Sequence, residues 1–182
     1  MKLSPELTTA PAEPVAAVIA LGSNLGDSQQ ILYDAVQGFR NHPEIQVTAV
    51  SPLAQTAPVG GPEQPDYLNQ VLIIATTLAP YALLQFGHEL EQAAARDREV
   101  RWGPRTLDVD IITYDDVNSQ HPTLGLPHPR AHERAFVLTP WSWADPQATL
   151  AGVPVAVLAA QADDADTVQR FDDVAGQNGE GQ

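Results

Sequence analysis

The sequence contains no cysteine among its 182 residues. Without thiols the chain forms neither disulfides nor thiolate metal sites, and this composition favours a reducing compartment. The sequence also lacks an apolar run long enough to span a membrane, and its N-terminus lacks the basic-then-apolar pattern of a signal peptide. We therefore predict a cytoplasmic protein that has no membrane partner.

Basic residues are scarce, because nine Lys and Arg stand against 23 Asp and Glu, which gives a net charge of −14. Such a chain does not attract nucleic acid through a general electrostatic field, so we predict no nucleic-acid partner. Apart from Lys2, Arg40 and Arg170, the basic residues are arginines in two short segments, 96–105 and 130–134. Arginine matches phosphate oxygens bidentately, so this clustering indicates a site for one compact anion. The alternative is a set of solvated charges on helices and loops.

The chain length and a hydrophobic content of 43% fit one folded domain. Residues 1–14 are rich in proline and threonine, and residues 163–182 carry six acids and one base. Both ends are predicted to be disordered, which leaves residues 15–162 as the domain. We expect the C-terminal tail to be dispensable and the protein to be a monomer.

Apolar strand patterns alternate with two helical patterns. Asp27, with Gln30 three residues later, predicts one helix start, and Pro80 predicts the other. Strands are predicted over four ranges: 16–22, 45–51, 67–78 and 105–114. The order β-α-β-β-α-β indicates an α+β, ferredoxin-like fold, in which an antiparallel sheet carries helices on one face. A loop and short helices follow this core. The loops 56–66 and 97–104 are predicted to close over bound substrates.

Two aspartates stand in the last predicted strand. Asp108 and Asp110 are two residues apart, so their side chains share a face, with Cα atoms roughly 6.6 Å apart. Two like charges on one face repel each other unless cations intervene. Mg²⁺ prefers carboxylates together with phosphate oxygens, and paired carboxylates can hold two ions about 3.5–4 Å apart. The alternative is an exposed strand face paired with arginine, but the neighbouring arginine cluster favours the metal interpretation.

Four segments, "ALGSNLGD", "TAPVGGPEQPDYLNQV", "RWGPRTLDVDII" and "LPHPRAHERAFVL", occur in the order and spacing of a known family. Over about residues 16–160 the chain resembles the 6-hydroxymethyl-7,8-dihydropterin pyrophosphokinases of folate biosynthesis. The resemblance implies an ATP-dependent diphosphotransferase that moves diphosphate from MgATP onto the hydroxymethyl group of the pterin and releases AMP. It therefore implies two partners, ATP and 6-hydroxymethyl-7,8-dihydropterin, and two Mg²⁺ ions that accompany ATP.

The resemblance also implies roles for single residues. Asp108 and Asp110 would hold the metal, and Tyr67 and Phe136 would stack on the pterin ring. The implied catalytic residues are Arg96, Arg105, Asp108 and Asp110. The implied ATP-binding residues are Glu91, Arg96, Arg98, Trp102, Arg105, His128 and Arg134. The implied pterin-binding residues are Thr56, Pro58, Val59, Tyr67, Asn69, Trp102 and Phe136.

Two rival functions remain open on the residues alone. A two-metal phosphohydrolase on the same fold would use the same aspartates with water as acceptor, and it would not need the "PDYLN" pocket. A ferredoxin-like small-molecule sensor would leave the paired aspartates without a task. An assay with MgATP and the hydroxymethyl-dihydropterin separates the three hypotheses: diphosphate transfer releases AMP, whereas ADP or free phosphate indicates a different transfer, and no turnover indicates a sensor.

Overall fold

The computed structural model describes residues 2–24, 27–57, 66–96 and 107–171, with the side chain of Arg96 excepted. Most of the two loops that the sequence predicts to close over substrates lies outside these ranges, as do residues 172–182. Within the described ranges, none of the helices combines the length and the apolar content that a bilayer crossing requires.

The first part of the chain contains helix α1 (Pro5–Thr8), strand β1 (Val15–Ser23), helix α2 (Ser28–Asn41), strands β2 (Ile45–Val50), β3 (Ala54–Thr56) and β4 (Tyr67–Thr76), helix α3 (Pro80–Arg96) and strand β5 (Asp108–Tyr114). The predicted starts of α2 and α3 are confirmed: Asp27 caps α2 by accepting from the Gln30 N–H, and α3 begins at Pro80. The predicted β-α-β-β-α-β order is also confirmed, with β3 inserted before β4.

The second part begins with the hairpin of β6 (Ser119–His121) and β7 (Leu124–Leu126), followed by a 3₁₀ helix (Ala131–Glu133) and helix α4 (Ala135–Ala144). A second hairpin, β8 (Thr149–Leu150) with β9 (Val153–Pro154), leads into helix α5 (Val155–Gln161). Another 3₁₀ helix (Ala165–Thr167) and strand β10 (Val168–Arg170) follow.

The main sheet is antiparallel and has the strand order β10-β3-β4-β1-β5, with β2 also pairing with β4. β2 lies along the C-terminal half of β4, where Ile45 is opposite Thr76. β3 lies along its N-terminal end, where Thr56 is opposite Tyr67. The arrangement of β1, β2, β4 and β5 confirms the predicted ferredoxin-like α+β class.

Side chains on β1 alternate between two apolar clusters. Ile19 and Leu21 pack in the cluster that α2 and α3 cover, whereas Val18 and Ala20 pack in the cluster of α4 and α5. The predicted placement of the two core helices on one face is therefore confirmed, and the later helices α4 and α5 cover the other face. The second face also carries apolar residues that need burial, and α4 covers it with fully or nearly fully buried side chains such as Trp141.

Both predicted disordered ends contain ordered residues. Leu7 in α1 is fully buried in the core, and the N–H of Phe171 donates to the Leu53 carbonyl at 2.8 Å. β10 pairs with β3, so that Val168 is opposite Thr56. The prediction of disorder is thus wrong for residues 2–14 and 163–171. Composition indicated disorder, but a few apolar side chains in each end dock on a core formed by the rest of the chain.

Candidate active site

The floor of the site consists of the neighbouring ends of β1, β4 and β5. Gly22 in β1 is opposite Asn69 on one side and Asp108 on the other, and Ala20 is opposite Asp110. Strand alternation points Asp108 and Asp110 to the same face as Ile112, which packs in the α4 cluster. The two carboxylates therefore lie on the α4 face, beyond the part that the helix covers.

A cavity of about 810 Å³ opens over this floor. This volume lies in the range of small-molecule sites, which is about 300–1,000 Å³. The cavity brings together seven of the residues that the sequence singles out: Thr56, Tyr67, Asn69, Asp108, Asp110, Arg134 and Phe136.

One side of the cavity combines aromatic rings with a buried amide. Tyr67 projects from β4 and Phe136 from α4, so two separate elements supply aromatic surface. The buried Asn69 donates its Nδ2 hydrogen to Thr56 Oγ1 at 3.2 Å, which fixes the orientation of the amide. A Cβ placed on Gly22 would come within 3.0 Å of Asn69 Oδ1. This side can hold a flat heterocycle and read its hydrogen-bonding edge.

We expect Gly22→Ala to disturb this amide without unfolding the protein. The added methyl pushes Asn69 by a few tenths of an ångström, since the contact at 3.0 Å is too close for a Cβ. A displaced hydrogen-bonding group weakens ligand binding, so the KM for the pterin that the resemblance implies should rise several-fold, while the melting temperature stays near that of wild type. Gly125→Ala adds a methyl at a similarly tight place, 3.3 Å from Pro129, outside the cavity lining. If both variants change KM equally, the Asn69 contact is not the cause.

The other side of the cavity is acidic. Asp108 is half-buried and Asp110 is exposed. In the described part of the chain, no group of three or more His, Cys, Asp or Glu side chains could enclose a metal ion. A pair of carboxylates nevertheless suits Mg²⁺, which commonly takes one or two carboxylates and completes its octahedron with phosphate oxygens and water. The donor set therefore fits a magnesium ion that is shared with a phosphate ligand.

Arginines form a third side. Arg134 precedes the first residue of α4, and its guanidinium carbon lies 5.6 Å from the centroid of the Phe136 ring, within cation–π range. Arg130 also lines the cavity and pairs with Glu133 at 3.9 Å. That ion pair is largely exposed, so it contributes little to stability and leaves Arg130 available to an anion.

His128 lies next to this wall. Its backbone N–H donates to the Ile112 carbonyl at 2.7 Å, and its ring Nδ1 accepts from the Arg130 backbone N–H at 3.3 Å. Burial lowers the pKa of His128, the Asp110 carboxylate opposes this, and the guanidinium groups of Arg134 and Arg130 lower the pKa further. The neutral imidazole, with Nδ1 as acceptor, is thus favoured near neutral pH.

The lowered pKa of His128 predicts a pH dependence of stability. The pKa of a histidine in the unfolded chain is about 6.5. Below that pH, His128 takes up a proton more readily in the unfolded chain than in the folded chain. The neutral His128 side chain therefore contributes its full stabilisation above about pH 6.5. This contribution is lost as the pH falls toward the pKa of His128 in the folded protein. His128→Asn keeps an acceptor for Arg130 but does not titrate, so its free energy of unfolding should fall less between about pH 6.5 and 5. Urea titrations without Mg²⁺ or ATP measure the difference, and the exposed His88→Asn serves as control. Parallel profiles for wild type and His128→Asn would contradict the prediction.

Several residues implied by the resemblance are not brought to the cavity. Glu91 lies on α3, which packs on the opposite face of the sheet, and it does not line the cavity. The side chain of Arg96 lies outside the described residues. The same holds for five other residues: Pro58, Val59, Arg98, Trp102 and Arg105. Their roles stay predictions.

The structure adds lining residues to which the resemblance gives no role: Ala57, Arg130, Glu133, Asp163, Asp164 and Thr167. Arg130 belongs to the arginine cluster, so its charge was a usable signal. Asp163 and Asp164 belong to the segment that composition assigns to a disordered tail, and no local pattern distinguishes them.

Sequence comparison identifies relatives over most of the chain. A protein from Bacillus subtilis named 2-amino-4-hydroxy-6-hydroxymethyldihydropteridine pyrophosphokinase is 45% identical over 124 residues, which cover 68% of this chain and 74% of the relative. A protein of the same name from Methylorubrum extorquens is 38% identical over 147 residues, covering 81% of this chain and 93% of the relative. The bifunctional protein FolKE of Lactococcus lactis is 45% identical over 122 residues. The chain spans only 35% of the length of that relative.

Solved structures agree on the fold. Wild-type HPPK-DHPS of Plasmodium falciparum with pterin and p-hydroxybenzoate matches with a TM-score of 0.68 at 12% identity, over 92% of this chain and 48% of that one. A triple mutant of the same protein with STZ-DHP matches with a TM-score of 0.69 at 11% identity, again over 92% and 48%. At such identities the likeness supports the fold alone.

The family comparison is the most direct. The sequence model of the family described as 7,8-dihydro-6-hydroxymethylpterin-pyrophosphokinase (HPPK) matches residues 18–146, which include most of β1, all of β2 to β5, and α4. This range contains the floor of the cavity and both aspartates. The resemblance drawn from the four sequence segments is confirmed, and the chain belongs to the 7,8-dihydro-6-hydroxymethylpterin-pyrophosphokinase family.

Proposed function

We propose that this protein transfers diphosphate from ATP to the hydroxymethyl group of 6-hydroxymethyl-7,8-dihydropterin, a step of folate biosynthesis. One observation carries the proposal: a single cavity places a buried amide and two aromatic rings beside two carboxylates and an arginine wall. The first group suits a pterin ring and the second suits a magnesium-bound polyphosphate. The named relatives that this chain covers over 74% and 93% of their length support the same activity.

The residues of the aromatic side bind and orient the acceptor. Tyr67 and Phe136 stack on the pterin, and Asn69, held by Thr56, reads the polar edge of the ring. Because Gly22 pairs with both Asn69 and Asp108, the floor carries the ring and the reacting phosphate side by side. Positioning of this kind is the main contribution that phosphoryl transfer requires from a protein.

The acidic and basic sides hold the donor. We propose that Asp108 and Asp110 hold two Mg²⁺ ions together with ATP, and that Arg134 and Arg130 neutralise phosphate oxygens, with Arg96 and Arg105 as further candidates. Mg²⁺ held by these carboxylates would supply charge neutralisation and would lower the pKa of the attacking hydroxyl. The pterin hydroxymethyl oxygen forms a bond to the β-phosphorus of ATP, the bond from that phosphorus to the α-phosphate oxygen breaks, AMP leaves, and the hydroxyl proton passes to solvent.

We further propose that the protein acts as a monomer. In the described part of the chain, the exposed large hydrophobic residues are Tyr33, Val153 and Val157. Val153 and Val157 lie near the β9–α5 junction, and Tyr33 is on α2. Scattered residues of this kind do not form the continuous apolar patch that a stable interface between copies needs.

Product analysis tests the function directly. The protein is mixed with MgATP and 6-hydroxymethyl-7,8-dihydropterin, and nucleotides and pterins are separated by chromatography. AMP and pterin diphosphate in equal amounts are expected. Release of ADP or free phosphate would instead support the phosphohydrolase alternative, and absence of turnover would contradict both enzymes. A pterin that carries a methyl in place of the hydroxymethyl group is the control, because it offers the same ring but no acceptor oxygen.

A further inference from the structure

We propose that residues 163–171, here named the C-terminal strap, position the acceptor side of the active site. In this proposal Asp164 fixes the start of α4, and with it the Phe136 ring. Asp164 is a positioning residue that acts through α4. The inference rests on the proposed function, because it assigns the strap a role in pterin binding.

The first observation is a long-range helix cap. The Ala135 N–H, at the beginning of α4, donates to Asp164 Oδ1 at 2.9 Å. The first N–H groups of a helix lack partners within the helix, and a side-chain acceptor from the preceding residue usually satisfies one of them. Arg134 occupies that preceding position and makes no side-chain capping bond. Asp164 therefore supplies the acceptor, and it does so next to a fully buried Ala135.

The second observation is that the other end of the strap is anchored to the sheet. β10 pairs with β3, which places Val168 opposite Thr56 and Arg170 opposite Ala54. Thr56 is the residue whose hydroxyl accepts from the Asn69 amide. The strap thus connects the strand that orients the amide with the helix that carries the aromatic ring.

The third observation concerns the turn between these two anchors. Thr167 Oγ1 donates to the Asp164 carbonyl at 2.7 Å, and the Thr167 N–H donates to the same carbonyl at 3.0 Å. Asp163, Asp164 and Thr167 all line the cavity. The turn therefore holds Asp164 in place and at the same time forms part of the cavity wall.

These contacts predict a selective defect when the acceptor at residue 164 is removed. The Ala135 N–H loses its partner, the first turn of α4 loosens, and Phe136 no longer keeps one orientation. Asp108 and Asp110 belong to β5 and keep their place in the β1 ladder. The loss should therefore raise the KM for the pterin and change the KM for ATP and kcat much less.

The experiment compares Asp164→Ala with Asp164→Asn and Asp166→Ala. Loss of a capping side chain should weaken pterin binding about tenfold, seen both in KM and in a fluorescence titration of pterin binding. Asp164→Asn retains an acceptor oxygen and should restore most of the affinity. Asp166→Ala is the matched control, because Asp166 is exposed in the same 3₁₀ helix and outside the cavity lining. Its constants should stay within about twofold of wild type.

Two further samples keep the test decisive if Asp164→Ala folds poorly. Thr167→Val removes the hydroxyl that holds the turn and should shift the pterin KM in the same direction by less. A chain that ends at residue 171 should match wild type, whereas a chain that ends at residue 162 should bind the pterin weakly, contrary to the expectation of a dispensable tail. Equal changes in both KM values and kcat, or no rescue by Asp164→Asn, would overturn the proposal.

Amide exchange separates failure of this proposal from failure of the proposed function. In Asp164→Ala, exchange at Ala135 and Phe136 should accelerate while exchange along β5 stays unchanged. If wild-type protein makes no pterin diphosphate but this pattern holds, the function is wrong and the strap still positions α4. If wild-type protein is active and the pattern does not hold, the positioning role is wrong.

Discussion

Asp108→Asn and Asp110→Asn should each reduce the rate of diphosphate transfer by about a hundredfold to ten-thousandfold while the protein stays folded. Each change keeps the side-chain shape and removes one negative charge from the proposed metal site. The Lewis-acid role of a metal accounts for several kcal/mol of a barrier, and each ~1.4 kcal/mol is tenfold in rate. The backbone pairing of residue 108 with Gly22 and of residue 110 with Ala20 is unaffected, so the sheet should persist.

Three measurements check this result: the MgATP-dependent rate, the melting temperature without metal, and pterin binding. Without metal the variants should melt at the wild-type temperature or slightly above it, since carboxylate repulsion is relieved. Pterin binding should change less than turnover. Asp116→Asn is the charge-matched control, because Asp116 is exposed just beyond β5. This variant should match wild type in all three measurements. A folded Asp110→Asn variant with wild-type turnover would show that this carboxylate is not a ligand.

Phe136→Ala should weaken pterin binding by about five- to a hundredfold, because stacking of an aromatic side chain on a heterocycle contributes about 1–3 kcal/mol. The change also removes the ring under the Arg134 guanidinium, so that arginine becomes less ordered. The KM for ATP should rise less than the KM for the pterin. Fluorescence titration with the pterin and steady-state kinetics with each substrate varied measure the two effects.

Two control variants isolate the contribution of stacking. Phe136→Tyr keeps a ring of the same size and should retain most of the affinity. Trp143→Ala removes another aromatic side chain from α4 that does not line the cavity, so it reports what loss of packing alone does. If Trp143→Ala weakens pterin binding as much as Phe136→Ala, the ring of Phe136 has no specific part in binding.

Local sequence patterns predicted the parts of the fold that depend on neighbouring residues. Alternation within one strand places Asp108 and Asp110 on a common face whatever that face packs against, and the structure has this arrangement. Asp27 and Pro80 predicted helix starts because capping and the fixed φ of proline act within a single turn. Ser4 followed by Pro5 is the same kind of signal for the start of α1. The prediction for this segment used its composition instead, which indicated disorder.

Features that depend on distant pairing could not be predicted in this way. Nothing near Asp164 indicates that its carboxylate caps a helix that begins 29 residues earlier. β10 has three residues, too few for a periodic pattern, and it is a strand because the edge of β3 is available to it. The covering of the second sheet face by α4 was not predicted for a related reason. The residues of α4 are apolar on all sides, so their pattern does not indicate which surface the helix covers.

The pairing of Gly22 with Asn69 and with Asp108 fixes the distance across the sheet between these two residues. In the proposed reaction, this distance limits the length of the hydroxyl-bearing substituent on the acceptor. Adjacent strands lie about 4.8 Å apart, so the backbones of Asn69 and Asp108 are separated by about 10 Å. A hydrogen-bonded ladder cannot stretch to follow a longer substrate. An alcohol with one more methylene in its arm would misplace its oxygen by more than 1 Å, an error that can cost about a hundredfold in rate. In the proposed reaction, we therefore expect a longer alcohol to lose rate of transfer rather than affinity, because its ring can still stack while the sheet keeps the distance between Asn69 and Asp108 fixed.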